Sequence, residues 1–300
     1  MFSSPFEMEE ADVNACGVGH NMKKYSLRGE QSSMFTKEFR DYVRQRMVEL
    51  ARADRRVTGG ALTGSTARGA GDEWSDVDVA FGIADGNSLE AVLDDWTLVL
   101  DQEFSVVNHF DVRAGKRIFR VFLLSSGLQV DVSVMPAEEF GAYGPAFRAL
   151  FGTSHQLEAA AQPDASELIG LSWLHVFHAR ASIERNQPWK AEYWISGVRD
   201  QVIALACLRL GENAFYGRGV DRLPAAVTDP LKEALVRSLE MKELRWALAA
   251  GTRCLIAELE EWDKQLSARL SPLLREFGTP QAEREQTRAS ELLKEKDEDN

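Results

Sequence analysis

Asp76-Val77-Asp78 is the stretch of this sequence best suited to chemistry. Side chains two apart on a strand project from one face. If DVDVAFGI is a strand, Asp76 and Asp78 therefore stand together while Val77 and Val79 turn the other way. Two carboxylates held side by side repel unless positive charge lies between them. A hard divalent cation such as Mg2+, which takes oxygen ligands, answers that need, and two such cations can clamp both oxygens of a phosphoryl displacement. Taken alone, an Asp-X-Asp is more often a solvated pair at a strand start. A third acid changes the balance. Asp131 lies in LQVDVSV, with Leu128, Val130 and Val132 on one face and Gln129, Asp131 and Ser133 on the other. An acid in such a strand needs a partner or a metal, unless its face is half open to water. If this strand neighbours the first, three acids converge.

Ahead of the acids comes ALTGSTARG. Gly64 allows a tight turn and a close backbone approach. Exposed amides and the Ser65 hydroxyl suit phosphate oxygens, and Arg68 can add a charge-assisted contact. No Gly-Lys-Ser/Thr follows, so this is not a Walker-type loop, and the glycines are wrongly spaced for the dinucleotide fingerprint. A glycine-serine turn by itself is an ordinary strand-to-helix connection.

The flanking elements follow from periodicity. Phe39, Tyr42, Val43, Met47 and Leu50 recur at helical spacing from Thr36 to Ala53, where Asp54 ends the run. RVTGGALTG reads as a buried strand and DVDVAFGI as a second. Asn87 or Ser88 can cap a helix over Leu89 to Glu103. SVVNHFDV, KRIFRVFLL and LQVDVSVM are three further strands. After about residue 150 strands are no longer expected. Helical patterns run over Ser166 to Glu184, Lys190 to Leu210, Leu231 to Leu239 and Glu243 to Leu270, which suits a bundle.

Gly64-Ser65, a spacer of ten residues, Asp76-Val77-Asp78 and the later Asp131 together resemble the signature of the polymerase-beta-like nucleotidyltransferase superfamily. GSTARGAGDEWSDVDV is similar to its small bacterial members, and the two-part layout resembles antibiotic nucleotidyltransferases that act on aminoglycosides or lincosamides. The resemblance implies an α+β fold: a nucleotidyltransferase-type mixed β-sheet with helices, followed by an α-helical bundle. On it the chain divides into an extension at 1–34, a catalytic domain at 35–150, a helical acceptor-binding domain at 151–278 and a charged tail at 279–300. It also implies roles. Gly64 and Ser65 would hold the triphosphate, with Arg68 assisting. Asp76 and Asp78 would coordinate Mg2+. Asp131 would be a metal ligand or the base that takes the acceptor's proton. The co-substrate would be a nucleoside triphosphate, ATP first.

The acceptor side is read from NQPWKAEYWISGVRDQV. Pro188 suits the first turn of a helix, and Gly197 inside it costs about 1 kcal/mol relative to alanine, which is tolerable where a ligand or another backbone comes close. Glu192, Trp194, Arg199 and Asp200 can bind a polar, hydroxylated acceptor, and Glu192 is an alternative base. The competing reading has Trp194 in the core and the charges paired at the surface. His175 and His178, three apart, have metal spacing but no third ligand; His109 reads as structural. Arg180 and Glu184 read as a surface helix pair.

Composition narrows the classes. The net charge of -12 disfavours a general grip on nucleic-acid phosphates. No apolar run approaches the roughly 20 residues that cross a bilayer, and MFSSPFEMEE lacks the basic and apolar parts of a secretory signal. Cys16, Cys207 and Cys254 form neither a zinc pattern nor a disulfide framework, and the two later ones read as buried thiols. The expectation is a cytoplasmic enzyme with a small-molecule acceptor, its oligomeric state left open. The rivals are transfer to a protein or nucleic-acid end, and a non-catalytic module of a toxin-antitoxin type. A ribonuclease pair could draw only on Arg148 and His155.

Overall fold

The computed structural model describes residues 35–144, 146–158 and 161–278. The expectations for 1–34, for 279–300 and for Cys16 lie outside the described residues. The chain forms two compact units, divided between Ala160 and Ala161.

The first unit is built on a six-stranded mixed sheet. Its helices are α1 (Lys37–Ala53), the one-turn α2 (Gly64–Ala67) and α3 (Leu89–Phe104). Its strands are β1 (Val57–Thr63), β2 (Val77–Ile83), β3 (Val106–Ala114), β4 (Arg117–Leu124), β5 (Gln129–Pro136) and β7 (Phe147–Gly152). Two-residue strands β6 (Gly141–Ala142) and β8 (His155–Gln156) pair separately. The order in the large sheet is β3-β4-β5-β2-β1-β7. β2 and β5 run parallel, while every other neighbour is antiparallel.

Helix starts follow their capping residues. The Thr36 hydroxyl accepts from the Phe39 amide, and the Ser88 hydroxyl from the Ala91 amide, each filling a first-turn donor that has no intrahelical partner. Ser88, not Asn87, is thus the cap of α3. Val43, Met47 and Ala51 of α1, with Val92, Leu93, Trp96 and Leu100 of α3, pack on one sheet face against Val77, Val79, Phe81, Val130, Val132 and Val134. Asp54, just past α1, binds Arg56 and the indole of buried Trp96, fastening α1 to α3. Strand alternation sends Asp78 and Asp131 to the opposite face.

The second unit holds α4 (Ala165–Glu184), α5 (Pro188–Arg209), α6 (Ala225–Leu231), α7 (Met241–Trp262) and α8 (Lys264–Gly278). Val176, Ile183, Ile195, Val198, Leu205, Leu248 and Leu255 lie in its core. The Arg209–Glu258 pair is bidentate, with Glu258 only 5% exposed. Arg180 and Glu184 pair at 2.8 Å across one helical turn. Cys207 is buried and Cys254 only partly so; burial pushes both thiols up. Among the described residues no helix is long and apolar enough to cross a membrane.

Three expectations need correction. Strands do not stop at residue 150: β7 runs to Gly152 as an edge strand, its residues half-buried or exposed, so no buried alternation marks it. The expected helix from Leu231 to Leu239 is instead α6, which ends at Leu231. A single 3-10 turn over Lys232–Ala234 follows, and the chain is extended at Leu235. The expected helix from Glu243 to Leu270 is two helices that break at Asp263. Asp263 is extended (φ -154°, ψ 99°), and its carboxylate accepts from the amides of Gln265 and Leu266, capping α8.

Candidate active site

The parallel pairing of β2 with β5 sets Asp78 directly opposite Asp131. Asp76 precedes β2 by one residue and points to the same place. One carboxylate oxygen from each of the three lies within 4.8 Å of the others. All three are half-buried. Gln129 donates to Asp131 Oδ1 at 2.9 Å. Burial, and after it the charge of Asp76, raise the Asp131 carboxyl above its ordinary value. Like charges this close repel one another, and oxygen donors at this spacing suit Mg2+.

The turn beside them is shaped by Gly64. Its φ of +64° lies in the left-handed region that glycine enters at least cost. A Cβ built there would fall 1.9 Å from Asp78 Oδ2. The backbone of the turn thus lies directly against the carboxylate. Ser65 lies in the single turn of α2 and donates to Ser75 Oγ at 3.2 Å. Arg68 is exposed just past α2 and makes no ion pair among the described residues.

The acceptor-side residues behave differently. Glu192 accepts from the Ser196 hydroxyl at 2.7 Å. Arg199 and Asp200 pair with each other at 2.8 Å. Trp194 packs on the helical core. His178 stacks on its ring at 4.8 Å, and His175 lies tilted at 5.0 Å. The Trp194 Nε1 and His175 Nδ1 atoms are buried without a hydrogen bond. Gly197 has a packing reason, since a Cβ would meet His175 Nδ1 at 2.6 Å. His109 is exposed on β3, its ring 5.7 Å from that of Phe122. Arg148 lies on β7 and His155 on β8.

Two contributors escaped the sequence. Ser75 forms a compact turn with Asp72: its hydroxyl donates to Asp72 Oδ1 at 2.9 Å and accepts from the Asp72 amide at 3.0 Å. Its place just before Asp76 was the available signal. Arg40, on α1, reaches the same turn and looked like any other charged residue of an amphipathic helix.

Residues 40–153 match the family model described as "Nucleotidyltransferase domain". Among curated proteins none matches the chain. Among solved structures the chain is similar to an aminoglycoside 6-adenyltransferase from Bacillus subtilis, at 15% identity and a TM-score of 0.29, over 77% of this chain and 95% of that one. A likeness that shallow carries no argument. The matched segment spans β1 through β7, so the first unit of this chain is a nucleotidyltransferase domain, and the protein is an enzyme of nucleotidyl transfer.

Proposed function

We propose that the enzyme moves a nucleoside monophosphate, AMP from ATP first, onto a hydroxyl of a small acceptor and releases pyrophosphate. The observation that carries this reading is the meeting of Asp76, Asp78 and Asp131 within 4.8 Å beside the Gly64 turn. Asp76 and Asp78 would hold Mg2+, with Asp131 completing the set. Bound there, the cation supplies charge neutralisation to the triphosphate and acidifies the attacking hydroxyl. The amides at Gly64 and Ser65 orient the phosphates, and Arg68 adds a donor to them. The acceptor oxygen bonds to the α-phosphorus as the bond to the bridging oxygen breaks. That oxygen leaves with its electron pair on pyrophosphate. The acceptor's proton goes to Asp131.

The first unit, ending at Ala160, would be the catalytic part and the second, starting at Ala161, the acceptor-binding part. Glu192, Trp194, Arg199 and Asp200 are the acceptor-binding candidates, supported by an aromatic ring with acidic neighbours on α5. Aminoglycosides and lincosamides are the first acceptors to try, because of the motif and the two-part layout.

The test measures pyrophosphate from Mg2+, each nucleoside triphosphate and a panel of both drug classes. Release with one drug, lost in Asp76→Asn, supports the reading. Release only with a protein acceptor removes the small-molecule part. No release, together with no nucleotide binding, removes the catalytic part.

A further inference from the structure

The turn that delivers Asp76 is gripped from behind by α1. Arg40 is only 2% exposed. Its Nη1 donates to the carbonyl oxygens of Asp72 and of Ser75, the latter at 3.3 Å, which lie 32 and 35 residues further along the chain. Ser75 is joined to Asp76, and its hydroxyl meets both Asp72 and Ser65. One guanidinium thus ties α1, the 72–75 turn and the Gly64-Ser65 turn into a single network. Burying that charge is costly. A carboxylate does little to offset it: Asp41 is 3.5 Å away, 38% exposed, and shared with Arg44 at 3.1 Å. What the guanidinium adds is a fixed location for two carbonyls.

The geometry points to Arg40 as a positioning residue for the carboxylate of Asp76, setting the affinity of the three-acid site for its divalent cation. The inference rests on the reading of Asp76 and Asp78 as metal ligands. Partners that orient a metal's ligands without touching the metal typically change affinity by about 10–100-fold when removed.

The experiment uses the full chain, with Mn2+ alone as the probe. Free Mn2+ is read by electron paramagnetic resonance, alongside a thermal melt. Arg40→Met is expected to weaken Mn2+ binding about tenfold, and Arg40→Lys, whose point charge lacks the planar fork of the guanidinium, by a smaller factor. Arg44→Met, on the same helix, should bind as wild type does. A folded Arg40→Met with wild-type affinity overturns the inference, as does a lowered melting temperature with unchanged affinity. If Arg40→Met does not fold, Arg40→Lys decides: wild-type affinity there refutes the role. Asp78→Asn separates the two readings. Equal binding by it and by wild type sinks the metal site itself, and this inference with it.

Discussion

Gly64→Ala tests the candidate site at its tightest contact. Two separate effects are expected. The first is backbone strain, because alanine at a φ of +64° costs about 1–2 kcal/mol. In a unit of this size that lowers the melting temperature by about 2–8 °C. The second is displacement. The new methyl would sit 1.9 Å from Asp78 Oδ2, so the carboxylate or the turn must retreat by about 1.5 Å to reach ordinary contact. A misplacement of about 1 Å can cost about 100-fold in rate, so pyrophosphate release should fall by about that factor. Gly69→Ala is the matched control. Its φ is +72°, but a Cβ there meets nothing within 4 Å. It should show the first effect without the second. The two variants are compared by thermal melting and by pyrophosphate release at saturating Mg2+. Equal activity of a folded Gly64→Ala and Gly69→Ala would refute the claim that the turn fixes Asp78.

Three further outcomes follow from charge and burial. Burial and Asp76 hold the Asp131 carboxyl above the ordinary 3.8, so in chelator-treated protein the folded state binds its proton more tightly than the unfolded state does. Asp131→Asn should therefore be more stable than wild type at pH 7 by urea unfolding, with the gap closing below about pH 4; a gap that widens in acid contradicts this. Asp54 behaves in the opposite sense, held below 3.8 chiefly by Arg56 and also by Trp96. Asp54→Ala should cost about 2 kcal/mol at pH 7, a loss that fades as the wild-type carboxyl itself protonates in acid; a difference independent of pH would count against it. In the helical unit, Glu258→Ala leaves Arg209 unpaired and should cost about 3 kcal/mol, whereas Arg209→Met with Glu258→Leu should recover most of it by urea titration.

Much of this protein was legible from local pattern. The period-two alternation of DVDVAFGI and LQVDVSVM told which residues share a face, and the Asn87-Ser88 pair and Pro188 marked helix starts by their own chemistry. Gly64 announced a special backbone conformation. Elements with weak local signals were missed: β7 is a little-buried edge, and the break at Asp263 lies inside an unbroken apolar stripe whose period does not register a cap. The acids could be named from the sequence but not assembled. Whether Asp131 stands beside Asp78 depends on β5 pairing parallel to β2 in one register, and a slip of one residue would send it to the buried face. That register is set by packing between segments some fifty residues apart, and the grip of Arg40 on the turn before Asp76 spans 35. The types and spacing of residues determined which chemistry was available to the chain. Only long-range packing decided that the groups able to perform it would meet.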